Sequence, residues 1–229
     1  MSVGARIRQV RTRIRWAFAR TVLVTSARLL LRIRVIERPD LPPGPYVLAS
    51  NHLCWIDPFV YMSVLPLEPR IWFLGNQDAV FNARWKQRLI MPFGGVIPLD
   101  LKARFDSSAM SQALAVLERG EVLGIFPEGG IGLGEGQPLP FKAGVGFLAY
   151  HGRCPVVPAA LAGTHEIWRG KEVVVRLGAP IQPSSVEPSS AAIRATTEAV
   201  EQAVRALMPA YQEPVDVKKP WPWLTRLLS

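Results

Sequence analysis

Cysteines, histidines and long uncharged apolar runs are scarce in this chain, and its first 36 residues contain no acid at all. Apolar residues make up 49% of the 229, and mean hydropathy is +0.16. Even so, no charge-free apolar run reaches the ~18 residues of a membrane-spanning helix. The longest charge-free stretch, 41–56, is broken by Pro42, Pro43, Gly44 and Pro45 and reads as loop followed by strand. The two cysteines, Cys54 and Cys154, supply neither a disulfide framework nor a Cys-x-x-Cys metal pair, so a reducing cytosolic compartment is expected. His151 lies near Cys154 without a carboxylate or second pair beside it, and no metal site is expected.

The missing acids locate the net charge of +9. Arg6, Arg8, Arg11, Arg13, Arg15, Arg20, Arg28, Arg32 and Arg34 are unopposed in residues 1–36, whereas the other 18 Lys and Arg are balanced by all 18 Asp and Glu. On a helical wheel Ile7, Val10, Ile14, Ala17, Phe18 and Thr21 share one face, and most of the first six arginines lie off it. Residues 22–31 then become almost wholly apolar. An Arg-rich amphipathic helix followed by a short greasy one predicts a monotopic anchor on anionic lipid, with Trp16 and Phe18 as its interfacial aromatics. A signal peptide is a poor fit, because Arg20 and Arg28 confine the uncharged core and no cleavage site follows. No nucleic-acid-binding motif accompanies the charges, and a solvated helix packed on the domain is the remaining alternative. At the other end, Lys218 to Leu228 mixes Trp221 and Trp223 with leucines and bases, a composition favoured at a bilayer interface, with a loose terminal tail as the alternative. The expected layout is an anchoring segment 1–40, a catalytic domain 41–212 and a Trp/Leu/basic tail 213–229. Its place would be peripheral, on the cytoplasmic face of the cell membrane.

Between the ends, strand-like runs at 46–50, 70–74, 95–99, 122–126, 155–161 and 172–177 alternate with helical stretches. The helices are expected after Asp57-Pro58 and at 82–91, 106–119, 144–151 and 191–207. Alternation of this kind predicts an α/β fold, a mostly parallel sheet covered by helices on both faces. Ligands of such sheets bind beyond the carboxyl ends of the strands, where two polar segments fall. The first is Asn51-His52-Leu53-Cys54-Trp55-Ile56-Asp57. Imidazole titrates near neutrality, and a nearby carboxylate can fix its tautomer and stabilise the imidazolium. Asp57 could also cap the helix beginning at Pro58. With no serine nucleophile in view, His52 would deprotonate a substrate hydroxyl. Cys54, two residues away, offers an acyl-cysteine route, but its strand-like apolar setting points it toward the core. The second segment is Phe126-Pro127-Glu128-Gly129-Gly130-Ile131-Gly132, a carboxylate followed by bare backbone that a ligand can approach.

Together these segments resemble the lysophospholipid acyltransferase family, typified by 1-acylglycerol-3-phosphate acyltransferases. Asn51-His52 with Asp57 resembles its Asn-His-x4-Asp block, and Gly94-Gly95-Val96-Ile97-Pro98-Leu99-Asp100 its second block. Phe126-Pro127-Glu128-Gly129 resembles the start of the third, Pro140-Phe141-Lys142-x-Gly144 follows, and Val157-Pro158-Ala159-Ala160-Leu161 resembles the fourth. The resemblance spans residues 40–180 and implies the glycerolipid acyltransferase fold. It also implies acyl transfer from acyl-CoA or acyl-carrier protein to a lysolipid hydroxyl, without metal or bound cofactor. His52 would be the base, Asp57 its partner, and Asn51, Glu128, Gly129 and Gly130 would line the acceptor site. Where the family carries arginines that grip the acceptor phosphate, this chain has Leu101 and Ile131. Lys102, Arg104 and Lys142 are the expected substitutes, unless the acceptor is a glycolipid or aminolipid without a phosphate monoester. A non-catalytic membrane-binding protein on the same scaffold is the competing class, and the intact His52/Asp57 pair argues against it.

Overall fold

The computed structural model describes residues 3–80, 95–103, 105–183, 189–211 and 217–228. For 3–10, 12, 13, 79, 80, 227 and 228 the backbone alone is described. The helix expected at 82–91 and the candidate Arg104 lie outside these residues.

Three apolar runs form the middle of a seven-stranded sheet. β2 (Tyr46–Ser50), β5 (Val122–Ile125) and β6 (Val156–Ala162) are buried at every position, as strands covered on both faces must be. β3 (Ile71–Asn76) and β4 (Val96–Leu99) extend the sheet on one side, β7 (Lys171–Leu177) and β1 (Leu31–Glu37) on the other, in the order β1-β7-β6-β2-β5-β3-β4. The five strands from β6 to β4 run parallel. β7 is antiparallel to β6, and β1 follows β7 in direction. The expectation of a mostly parallel sheet holds, and the reversal has a local cause. Residues 163–170 are too short for the crossover a parallel partner requires.

Helices cover both faces. α1 (Val3–Leu30), α2 (Asp57–Val64) and α7 (Trp223–Leu228) lie on one, where Leu48, Val60, Tyr61, Phe73, Val157 and Leu224 share a core. α4 (Ser107–Glu118), α5 (Gly144–His151) and α6 (Ser190–Leu207) lie on the other, around Val47, Ala49, Val116, Leu148 and Val200. A short α3 (Gln77–Val80) follows β3. Asp106 caps α4 by accepting from the Ala109 amide, Ser189 caps α6 through Ala192, and Gly120 ends α4 at φ +76°.

The N-terminal expectation needs correction in three respects. Residues 3–30 are one continuous helix rather than two. Residues 31–37 belong to the sheet rather than to an anchor, because Leu31 and Ile33 alternate with Arg32 and Arg34 as an edge strand should. Trp16 is buried, with the Arg20 and Arg70 guanidinium groups over its indole, and cannot face lipid. The second half of α1 turns Trp16, Arg20 and Leu23 inward. Buried Arg20 donates to the Met62 and Leu65 carbonyls at 3.0 and 2.6 Å, and Arg28 donates to that of Ser63. Both arginines therefore satisfy orphan carbonyls at the negative end of the α2 dipole, each such contact contributing ~0.3–1 kcal/mol. Ile14, Phe18, Val22 and Leu29 remain exposed on the outer side, with Arg11 and Arg15 also in solvent. The arginines 6, 8 and 13 are in the helix with side chains outside the description.

The tail is likewise docked rather than loose. Thr225 Oγ1 accepts from the Ile167 amide and donates to its carbonyl, and Leu224 enters the core. Trp221 and Trp223 stay about half exposed, their rings 6.4 Å apart. The turn at Arg169 and Gly170 joins this tail to α1. Its two amides donate to the carbonyls of Pro220 and Leu30 respectively. No helix among the described residues is long and apolar enough to cross a membrane.

Candidate active site

The loop after β2 carries His52 to the carboxyl end of the sheet. A turn closed by the Asp57 amide on the Cys54 carbonyl brings the Asp57 side chain back over the loop. Its Oδ2 lies 2.9 Å from His52 Nδ1 and accepts from the Leu53 and Cys54 amides at 2.7 and 2.8 Å. Asp57 is fully buried, whereas the His52 side chain retains 19% of its surface. The carboxylate so placed holds the Nδ1–H tautomer and leaves Nε2 for a proton in the cavity. Asp57 does not cap α2, contrary to the expectation. It is the first helical residue, and its carboxylate is spent on the preceding loop.

Aromatic packing fixes the plane of the imidazole. Phe126 stacks on His52 with centroids 4.2 Å apart at 16°, and Phe73 continues the stack at 5.9 Å and 13°. Gly124 makes room for it, since a Cβ there would sit 2.3 Å from the Phe73 ring.

The loop after β5 wraps around the backbone of His52. Glu128 Oε1 accepts from the His52 amide at 2.7 Å, and the His52 carbonyl accepts from the Gly132 amide at 2.7 Å. Glu128 Oε2 accepts from the Leu139 amide at 2.6 Å. Burial outweighs these two donors and the neighbouring His52, so the Glu128 carboxyl titrates above the ordinary glutamate value.

The predicted residues therefore separate into groups. His52, Gly129, Gly130 and Lys142 line a cavity of about 1300 Å³ together with Trp55, Phe59, Phe73, Met110, Ile131 and Phe147. Asn51 and Glu128, expected to line the acceptor site, do not line it. Buried Asn51 clamps β2 to β6, donating to the Leu161 carbonyl and accepting from its amide at 3.0 and 2.9 Å. Each works by holding backbone. Lys102, expected as a phosphate contact, points into solvent and pairs with Asp78 at 2.8 Å, while its amide donates to Asp100 Oδ1. Lys142 extends over Gly129, where a Cβ would meet its Nζ at 2.3 Å and φ is +69°. Among the cavity residues that the sequence does not single out is a cation, Arg194 on α6. Its local sequence looks like any solvated helix charge, and only a long-range contact between helices reveals it. Among the described residues no group of three or more His, Cys, Asp or Glu is placed to hold a metal.

The family model described as Acyltransferase matches residues 32–162, which run from the second residue of β1 to the end of β6 and include the loops just described. The chain belongs to the acyltransferase family. It is 25% identical over 181 residues to the 1-acyl-sn-glycerol-3-phosphate acyltransferase of Bacillus subtilis, covering 76% of this chain and 87% of that one. Against the Cocos nucifera enzyme of the same name it is 33% identical over 162 residues, 67% of this chain and 48% of the other. Against the human alpha form it is 31% identical over 145 residues, 62% and 50% respectively. The chain thus spans about half the length of the plant and human relatives. The crystal structure of the 1-acyl-sn-glycerophosphate acyltransferase of Thermotoga maritima superimposes with a TM-score of 0.63 at 17% identity. The match covers 93% of this chain and 86% of that one, and it establishes the shared fold.

Proposed function

We propose that this acyltransferase moves a fatty acyl group from acyl-CoA or acyl-carrier protein to the free hydroxyl of a lysolipid, with 1-acylglycerol-3-phosphate as the leading acceptor. The observation that carries this reading is the buried Asp57 carboxylate on Nδ1 of His52, a residue that itself lines a large, mostly apolar cavity. Nε2 takes the proton of the acceptor hydroxyl as its oxygen attacks the thioester carbonyl carbon. Collapse of the tetrahedral intermediate breaks the carbon–sulfur bond. The leaving thiolate recovers the proton from the imidazolium, and the products are an ester and a free thiol. The enzyme would need no nucleophile of its own, and none of the steps calls for a metal. Thiol release by the purified chain, followed with acyl-CoA and a panel of lysolipids, tests the reaction. Release dependent on both substrates and lost in His52→Ala supports it; no release with any acceptor, from either thioester donor, refutes it.

The same reading places the enzyme peripherally on anionic lipid, at the cytoplasmic face of the cell membrane. Its supports are the exposed ridge Ile14–Phe18–Val22 and the exposed Trp221 and Trp223, beside the exposed Arg11 and Arg15. Deleting residues 1–36 would remove strand β1, so surface substitutions are the proper test. Phe18→Glu together with Trp223→Ser should weaken co-sedimentation with phosphatidylglycerol vesicles while leaving the melting temperature near wild type. Unchanged co-sedimentation refutes the membrane face.

A further inference from the structure

Charge in the cavity is polarised. Among the described residues, the lining contains two lysine or arginine side chains, Lys142 and Arg194, and two acids, Asp100 and Asp106. The acids belong to the β4–α4 side. Asp106 is occupied there with the amides of Asp100 and Ala109, and Asp100 with that of Lys102. The cations belong to other elements, at the seam of α5 and α6. Gly146 allows that seam to close, since a Cβ there would lie 2.2 Å from the Ile193 carbonyl oxygen. The close approach brings Ile193, and Arg194 next to it, against the first turn of α5, and Lys142 lies two residues before that helix. α6 also holds the segment that carries Lys142. Glu201 accepts from the Phe141 amide at 3.1 Å, and Arg205 ties Glu201 to the Pro138 carbonyl. Beneath Lys142 the backbone is bare. Gly129 adopts a left-handed φ, and nothing lies closer than 4.0 Å to the position of a Gly130 Cβ.

We propose that Lys142 and Arg194 form the phosphate-recognition pair of this cavity, determining which substrate phosphate is held beside His52. Arg supplies a planar fork suited to two phosphate oxygens, and Lys a point charge over glycine backbone that a third oxygen can approach. The pair explains how an acyltransferase with Leu101 and Ile131 at its other cavity walls keeps a cationic site. The inference rests on the acyl-transfer reading. A phosphate could be presented by the acceptor headgroup or by the pantetheine and nucleotide arm of the donor, and kinetics separate the two sources.

The test uses full-length protein with acyl-CoA and two acceptors, 1-acylglycerol-3-phosphate and phosphate-free 1-acylglycerol. Lys142→Met, Arg194→Met and the double substitution are compared with Arg34→Ala, a solvent-side control on β1. If the phosphate is the acceptor's, each single change raises KM for the phosphate-bearing acceptor roughly tenfold to a hundredfold and spares the phosphate-free one. If it is the donor's, the same rise moves to the acyl-CoA KM with both acceptors. Either result, with kcat within about threefold, supports the pair. A double variant whose KM values all stay within about twofold of wild type overturns it. Calorimetric titration of 1-acylglycerol-3-phosphate and of CoA into His52→Ala protein, with and without the double substitution, reads the pair without turnover. Loss of affinity for one of them supports it, and equal affinity for both overturns it. Acyl transfer absent from wild type alongside intact phosphate binding would instead refute the catalytic reading.

Discussion

The loops after β2 and β5 each present a carboxylate beside His52, and the two carboxylates do opposite work. Asp57 acts on the imidazole ring, through Nδ1, whereas Glu128 acts on the main chain of the same residue, through its amide. The first arrangement controls where a proton sits. The second controls where the whole loop sits, since Glu128 bridges the His52 and Leu139 amides and Gly132 returns to the His52 carbonyl. Neither Asp57 nor Glu128 lines the cavity, so proximity in a motif does not imply contact with substrate. On the proposed mechanism the chemistry is concentrated in one ring, and the surrounding motif residues hold it still.

Removing that ring is the strongest test of the division. His52→Ala should lower kcat/KM roughly 10³- to 10⁴-fold with a near-native melting curve, because it removes the base and leaves both loop braces on backbone atoms. Retention of more than a tenth of the activity would collapse the distinction. Asp57→Asn comes next, with a fall of about 10²- to 10³-fold in kcat, since an amide does not stabilise the imidazolium. Its acceptor KM should hardly move, and a rise in KM alone would make Asp57 a binding residue.

Glu128→Gln should act more mildly and in a different parameter. The amide sets an N–H against a backbone N–H, leaving a buried donor unpaired at a cost of ~1–3 kcal/mol. We expect a lower melting temperature and a kcat reduced about tenfold, with acceptor KM within threefold; a KM-only effect would return Glu128 to the acceptor site. Stability should also report its titration. Folding raises the Glu128 carboxyl above its ordinary 4.5, so the folded state binds this proton more tightly than the unfolded one. The associated stability is present below pH 4.5 and lost as pH rises through the folded value. Melting temperatures of wild type and Glu128→Gln, measured from pH 4.5 to neutrality, should therefore differ by a margin that narrows as pH rises, because only wild type loses this stability. A margin that widens would contradict the raised value.

What could be read from the sequence divides along a similar line. β2, β5 and β6 were legible as uninterrupted apolar runs, and His52 with Asp57 because both members lie within one loop. The direction of β7 was not, since a strand's composition says little about the neighbour it meets. Nor was the inward half of α1. Counting its arginines as membrane charge concealed that Arg20 reaches the carbonyls of a helix some forty residues on. β1 carried its own signal, the alternation of Leu31 and Ile33 with Arg32 and Arg34, which the charge excess overshadowed. Arg194 and Glu201 had none, because their roles come from the packing of α6 against α5 and the preceding loop.

The smallest expected effect belongs to Cys54, and it sharpens the division between ring and backbone. The residue stands two positions from His52, yet it is buried in the apolar core on the α2 face of the sheet and is not part of the cavity lining. What it gives the site is its amide, at 2.8 Å from Asp57 Oδ2. Cys54→Ala preserves that amide and removes one buried sulfur, so kcat should stay within about threefold while stability falls by about 1 kcal/mol. An acyl-cysteine mechanism makes the reverse demand, with activity abolished and labelled acyl chain retained on wild-type protein when acceptor is withheld. Mass measurement of the protein after incubation with acyl-CoA alone decides between them. An unmodified mass leaves the substrate hydroxyl as the nucleophile, and a stoichiometric acyl adduct lost in Cys54→Ala would move the chemistry from His52 to the thiol.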